Sequence, residues 1–218
     1  MASPGSTERE RVARYFSDHA RDFDSIYERD KGLLRRLRDR LSRGTVVRRL
    51  SFVLDLAALR RPDTILDVGC GAGRFAIPLA KAGARVIGLD LASEMISLAK
   101  DRAKAEGLGD GCVFLREDFL SWDPPERFDL ALAVGVFDYV RDPDPVLAKM
   151  VAAGGEVVAS FPRRWHPLVP LRKARLSLAG CPVYFYGRGD VELLASRHLR
   201  SFRISLLGRD FMLVGTAD

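Results

Sequence analysis

"ILDVGCGAG", residues 65–73, is the stretch whose reading decides the fold. A short apolar run broken by one acid, Asp67, leads directly into Gly69, Gly71 and Gly73, spaced by Cys70 and Ala72. A run of this length and composition reads as a buried strand. Glycines permit a tight turn and leave nothing between the main chain and whatever lies against it. In a parallel sheet, ligands bind at the carboxyl ends of strands, where strand order reverses. A dinucleotide fingerprint would be GxGxxG, with a helix N-terminus facing a pyrophosphate. Here the third glycine comes one residue early, so a ligand without a phosphate at the turn is expected.

Outward from the turn, strands alternate with helices. The pattern predicts strands at 64–68, 85–89, 112–116, 128–134 and 155–160, and helices at 73–82, 93–106 and 143–152. Asp142-Pro143 supplies a capping residue and a proline for the first helical position. Such alternation implies a parallel sheet with helices on both faces, an α/β fold. The end differs: a helix at 190–199, then strands at 201–207 and 210–216 across Gly208-Arg209, which reads as a hairpin and an antiparallel edge. Before the first strand, Val12, Tyr15, Phe16, Ala20, Phe23 and Tyr27 recur at helical steps, predicting a helix over 8–30. Gly32 and Gly44 punctuate the next stretch, and a second helix is expected over 45–59. Two units result: a helical cap at 1–44, and a ligand-binding domain at 45–218 whose long Pro- and Arg-rich insert, 161–189, is expected to form a lid with the cap.

Two further acids narrow the ligand. Asp90 closes the second strand, "RVIGLD", where a carboxylate can bond a ribose diol. Asp118 follows the third, "VFLREDF", beside Phe119, a carboxylate for an exocyclic amine next to a ring for a base. With Asp67, these acids at three successive strand ends describe a nucleoside-shaped ligand.

At these residues the chain resembles a family. "LDVGCGAGRFAIPLAKAGARVIGLDLASEMISLAK", with "EDF" and "FDLALAVGVFDYVRDP" later, is similar to the Rossmann-like, class I S-adenosylmethionine (SAM) dependent methyltransferases over about residues 60–160. The resemblance implies a seven-stranded sheet with the last strand antiparallel. It implies that Asp67, Gly69, Cys70, Gly71 and Gly73 surround the methionine part of SAM and that Asp90 holds the ribose, with Leu91 and Met95 beside the adenine. Asp118 would accept from the adenine amine, Phe119 would pack nearby, and Val134, Val136 and Phe137 would border the sulfonium. "VARYFSDHARDFDSIYERDKG" looks like the cap of small-molecule members, closest to the ubiquinone-type and magnesium-protoporphyrin O-methyltransferases. Phe16, Phe23 and Tyr27 would line that cap's inner face.

One position departs from the quinone-type pattern: where many members carry Glu-His, this chain has Asp138-Tyr139. Tyrosine, with an ordinary pKa of about 10, is a poor base at neutral pH, so Tyr139 is expected to position the acceptor. His166 is the candidate base. Arg163, Trp165, Tyr184 and Tyr186, with Phe16, Phe23 and Phe137, are the candidate acceptor contacts. The expected acceptor is a small molecule, cyclic or acidic, with in-line methyl transfer and S-adenosylhomocysteine (SAH) as product. Alternatives are a SAM-consuming cyclase or lyase releasing methylthioadenosine, an RNA methyltransferase, and a SAM-binding protein without catalysis.

Composition sets the remaining bounds. Apolar residues make up 47% and charged residues 29% of the 218, ordinary for a globular chain with a sizeable core. Net charge is +6, concentrated in residues 29–49 and 163–175. Such clusters can attract an anion, yet no appended RNA-binding unit or Asn-Pro-Pro-Tyr type motif accompanies them, so nucleic acid is not the expected partner. Cys70, Cys112 and Cys181 form no CxxC pair, so neither a disulfide framework nor a metal site is expected. No apolar run suits a membrane span or a signal peptide, and a cytoplasmic location is expected. Oligomeric state is not legible.

Overall fold

The structure is a computed structural model that describes residues 4–20 and 33–217. Among the described residues, helices α1 (Pro4–Asp18) and α2 (Leu33–Arg60) precede the sheet. Then come β1 (Thr64–Val68), α3 (Ala76–Lys81), β2 (Arg85–Asp90), α4 (Ser93–Ala105), β3 (Cys112–Arg116), β4 (Phe128–Ala133), α5 (Asp144–Ala153) and β5 (Gly154–Pro162). The chain closes with α6 (Val169–Leu178), α7 (Arg188–His198), β6 (Ser201–Leu207) and β7 (Asp210–Thr216). The seven strands lie in the order β3-β2-β1-β4-β5-β7-β6. The first five are parallel, while β7 runs against both β5 and β6.

The side-chain period of two separates two cores. Leu66, Ala131, Val157, Ala159 and Leu213 face one layer, which holds α5 and α7. Ile65, Leu130, Leu132, Val158 and Met212 face the other, against α2, α3 and α4. Both faces being covered explains why β1 and β4 read as continuous apolar runs rather than alternating ones. Each fully buried Leu, Ile or Phe contributes roughly 1.5–3 kcal/mol by leaving water.

This order sets the site. The chain passes from β1 to β2 and β3 on one side, then returns to place β4 on the other, so the crevice opens above β1 and β4. Because β7 is antiparallel, its first residue, Asp210, pairs with Pro162 at the carboxyl end of β5. The Gly208-Arg209 turn is thereby carried to the ligand edge.

The seven-stranded, mostly parallel sheet with its antiparallel last strand matches the expectation from the sequence; several boundaries do not. α1 begins at Pro4 and ends at Asp18, and the rest of the predicted 8–30 helix lies largely outside the described residues. α2 runs through Gly44 without a break, so the 44/45 division falls inside a helix. A glycine inside a helix costs only about 1 kcal/mol, which 28 residues of helix absorb. α3 starts three residues later than predicted, because Gly73 has φ 77° and belongs to the turn. α5 starts one residue later than predicted, with Pro143 at the N-cap and Asp142 two residues ahead of the helix, its Oδ1 accepting from the Asp144 amide at 3.2 Å. The insert contains its own helix, α6. Among the described residues, no helix is long and apolar enough to cross a membrane.

Candidate active site

A cavity of about 1020 Å³ opens at the carboxyl edge of the sheet. The glycine turn forms its floor, and the three glycines serve different ends. A Cβ at Gly69 would stand 2.4 Å from Val136 Cγ2, and one at Gly73 would stand 2.9 Å from both Ile77 Cδ1 and Phe114 Cζ. These two are small because protein packs on them. Gly71, with φ 53°, would meet nothing within 4 Å. Its missing side chain leaves open space that belongs to the cavity.

Asp90 holds this floor in shape. The Gly71 N–H donates to its Oδ2 at 2.9 Å and the Ala92 N–H to its Oδ1 at 2.8 Å. Burial pushes its carboxyl up, against the pull of these amides. Asp67 sits behind the turn, 1% exposed and outside the cavity lining, so its expected contact with the methionine part is corrected. Burial, with the nearby Asp90, raises its carboxyl to about 7, and its Oδ2 has no partner among the described residues. Cys70 lines the cavity, its thiol pushed well up by burial.

Leu91, Met95, Asp118 and Phe119, the residues expected to meet an adenine, line the side wall. Asp118 is already engaged. Its Oδ1 accepts from the Leu120 amide at 3.0 Å, and its Oδ2 pairs with Arg9 of α1 at 2.5 Å. α1 rests there on a small cluster of Ala20, Ala72, Ala92 and Met95, against which Phe16 and Leu98 pack.

Val134, Gly135, Val136 and Tyr139 line the wall above β4. The Phe16 ring stands edge-on to Tyr139, centroids 4.9 Å apart, so cap and sheet meet there. Burial raises the Tyr139 phenol to about 12, against the pull of Arg172. Of the chain's three histidines, His19 alone lines the cavity among the described residues. Its Nδ1 lies 2.9 Å from the Tyr15 carbonyl oxygen. A carbonyl only accepts, so Nδ1 carries the hydrogen, and the neutral ring keeps its lone pair on Nε2. A helical period of apolar positions does not single out a histidine, so the sequence pattern carries no signal for this residue.

The remaining wall is charged, and the sequence reading missed most of it. Arg49 pairs bidentately with Asp210, Nη2 to Oδ1 at 2.5 Å and Nε to Oδ2 at 2.9 Å. Burial opposes the Arg49 charge, but Asp210 and Asp138 outweigh it and hold the guanidinium above its ordinary value. Gly135 admits Arg49: a Cβ there would lie 3.3 Å from Arg49 Nη1. Arg172 of α6 is ion-paired with Asp138, and its Nη2 is 3.5 Å from the Tyr139 hydroxyl. Arg209 donates from Nε to Thr45 Oγ1 at 3.2 Å. Arg74, after the last glycine, lines the cavity as well, its guanidinium lowered to about 9 by burial.

Several predicted contacts stand outside the lining. Phe137 is fully buried, its ring stacked on Phe161 at 4.3 Å, because it faces the sheet's core. Tyr186 donates to the carbonyls of Phe137 and Val140, at 3.2 and 3.0 Å, and Tyr184 donates its backbone N–H to the Asp138 carbonyl at 2.8 Å. Both brace the turn that presents Asp138 and Tyr139. Arg163 donates to the Gly208 carbonyl at 3.2 Å and braces the hairpin tip. Trp165 is 81% exposed. His166 spends its Nδ1 on the Leu168 amide at 3.2 Å, away from the cavity, so the expectation of a base there is corrected. Gly73 lies beneath the floor, and Phe23 and Tyr27 fall outside the described residues.

A glycine floor with one open position, a carboxylate tied to it and a wall of Leu91, Met95 and Phe119 suit a nucleoside without a phosphate. Residues 65–154 match the family model described as a methyltransferase domain. The matched domain is similar to the class I SAM-dependent methyltransferases. That domain is 36% identical over 115 residues to a ubiquinone biosynthesis O-methyltransferase of Aliivibrio fischeri, covering 51% of this chain and 49% of that protein. A ubiquinone biosynthesis O-methyltransferase of Rhodopseudomonas palustris is 36% identical over 135 residues, 54% and 51% of the two chains. The chain spans about half the length of the curated relatives it matches. Likeness to solved methyltransferases extends further but shows the fold alone. The SAH-bound magnesium protoporphyrin IX methyltransferase of Synechocystis gives a TM-score of 0.75 at 18% identity, over 97% of this chain and 100% of that one. A possible histamine N-methyltransferase of Thermotoga maritima gives 0.72 at 17% identity, over 95% and 100%.

Proposed function

We propose that the protein transfers the methyl group of SAM to an oxygen of a small cyclic acceptor, with SAH as product. The observation that carries this reading is one cavity whose lining takes in the open glycine floor together with His19 and Tyr139. At about 1020 Å³ it is at the top of the range for drug-sized ligands, roughly 300–1,000 Å³, which suits a nucleoside and an acceptor together. The named relatives methylate oxygen in ubiquinone biosynthesis.

SAM supplies an electrophilic methyl group, and the protein's residues supply place and protonation. Gly71 leaves room for the ligand, and Asp90 offers carboxylate oxygens to its ribose. Met95 and Phe119 pack on the base. Arg74 offers a guanidinium to the ligand's carboxylate end. α1 covers the mouth through Phe16 and excludes water. His19 takes the proton from an acceptor hydroxyl at Nε2. Tyr139, its phenol held near 12, stays protonated and orients the acceptor. Holding nucleophile and methyl in line supplies several kcal/mol of the barrier.

Product analysis tests this. Purified protein is incubated with SAM and a panel of phenols, and the nucleoside products are separated. SAH formed in step with methylated phenol is expected. Methylthioadenosine, or no measurable binding of SAH by calorimetry, would overturn the reading.

A further inference from the structure

The charged wall has a positive charge left over. Arg49, Arg172 and Arg209 stand with Asp138 and Asp210 at this end of the cavity. The groups are close enough to feel one another: Arg209 is acted on by Arg172, Asp210, Arg49 and Asp138. Arg49 is satisfied by Asp210 through two hydrogen-bonded contacts, and Arg172 by Asp138. Arg209 has no such partner among the described residues. Among the described residues its side chain makes one hydrogen bond, from Nε to the neutral Thr45 hydroxyl, and both Nη atoms are unused. Burial and the two neighbouring arginines disfavour its charge. An unpaired guanidinium in a half-buried wall is costly, and a planar oxyanion relieves the cost with two parallel bonds.

The position is set by topology. Arg209 ends the hairpin turn that antiparallel β7 delivers to the carboxyl edge. The tip is pinned there: the Arg163 amide donates to the Arg209 carbonyl at 2.9 Å, and Arg163 Nη1 to the Gly208 carbonyl at 3.2 Å. Arg49, the neighbouring guanidinium, lies against Gly135, in the wall above β4. The anion subsite therefore adjoins the part of the cavity assigned to the acceptor.

We propose that the acceptor is a carboxylate, anchored by Arg209 and presenting its hydroxyl to the wall of His19 and Tyr139. This rests on the methyltransferase reading above and deepens it by naming the acceptor's class. The same end carries a matching acceptor of hydrogen bonds: Asp138 Oδ2 is buried without a partner among the described residues.

The test uses the full chain in complex with SAH. Matched pairs of hydroxybenzoates and hydroxycinnamates with their amides are titrated by calorimetry. The expectation is that at least one carboxylate binds tenfold or more tightly than its amide. Arg209→Met should remove that preference while changing SAH affinity less than twofold, and Arg209→Lys should retain part of it. Failure of every carboxylate to outbind its amide overturns the inference. So does an Arg209→Met protein that weakens SAH as much as the carboxylate, because the guanidinium then serves the nucleoside ligand's own carboxylate. Absence of SAH binding to the unmodified protein would instead overturn the methyltransferase reading, so the two failures are distinguishable.

Discussion

Replacing Gly71 by alanine separates the backbone's needs from the ligand's. Gly71 has φ 53°, a conformation an L-residue adopts at a cost of about 1–2 kcal/mol. Gly107, past the end of α4, has φ 68° and is also surrounded by open space, yet it lies outside the cavity. Gly107→Ala therefore carries the same backbone cost and serves as the control. Urea denaturation should lower both variants by a similar 1–2 kcal/mol, on the order of that strain. Ligand binding should part them. The added methyl at Gly71 occupies space that protein leaves empty, and crowding a packed contact costs roughly 1–3 kcal/mol. That corresponds to about a 5- to 150-fold loss of SAH affinity. Calorimetry with SAH reads it directly, and Gly107→Ala should bind as the unmodified protein does. A Gly71→Ala protein that binds SAH within twofold of wild type would refute the assignment of the cavity floor to the nucleoside.

Other expectations rest on the same geometry. His19→Gln should lower the methyl-transfer rate by about 10²–10⁴, the range for a lost general base, whereas Tyr139→Phe should change it only a few-fold; the reverse order in single-turnover rates would reassign the base. Arg49→Met leaves Asp210 buried and unpaired, and should lower stability by about 3–5 kcal/mol; a loss under about 1 kcal/mol in urea melts would mean the pair is not formed. Asp67 is raised by burial from 3.8 to about 7, so the folded state holds a proton that the unfolded chain loses between these values. Its contribution therefore falls as pH rises through that window, by at most roughly 4 kcal/mol. Asp67→Asn should flatten the stability difference between about pH 5 and pH 8, and an unchanged slope in urea melts would discount the orphaned carboxyl.

The glycine-turn end of the cavity was legible because its residues are local in sequence. A strand, a glycine turn and an acid at the next strand's end lie within residues 65–90, and their spacing alone carries the inference. The charged end was not, because its groups meet only through tertiary structure. Arg49 sits mid-helix, Arg172 in an insert, and Arg209 in a turn read only for its geometry. Each looks like a solvated surface charge until the antiparallel strand and the long helix bring them together. The misplaced aromatics have a related cause. Phe137, Tyr184 and Tyr186 lie beside site residues in the chain, but period-two alternation and core packing turn them inward. Proximity in sequence gave them a role in contact, and the fold gives them a role in support.

The direction of β7 has one more consequence. A parallel last strand would begin at the far edge of the sheet and leave the cavity's charged wall to a loop. Running the other way, it sets a two-residue turn, held on a rigid ribbon, against a helix from the N-terminal part of the chain. The glycine floor proposed for the nucleoside and the charged wall proposed for the acceptor are thus encoded in stretches that hardly overlap. On the proposed reading, lengthening or recharging the 208–209 tip would change the choice of acceptor while the floor around Gly71 stays as it is.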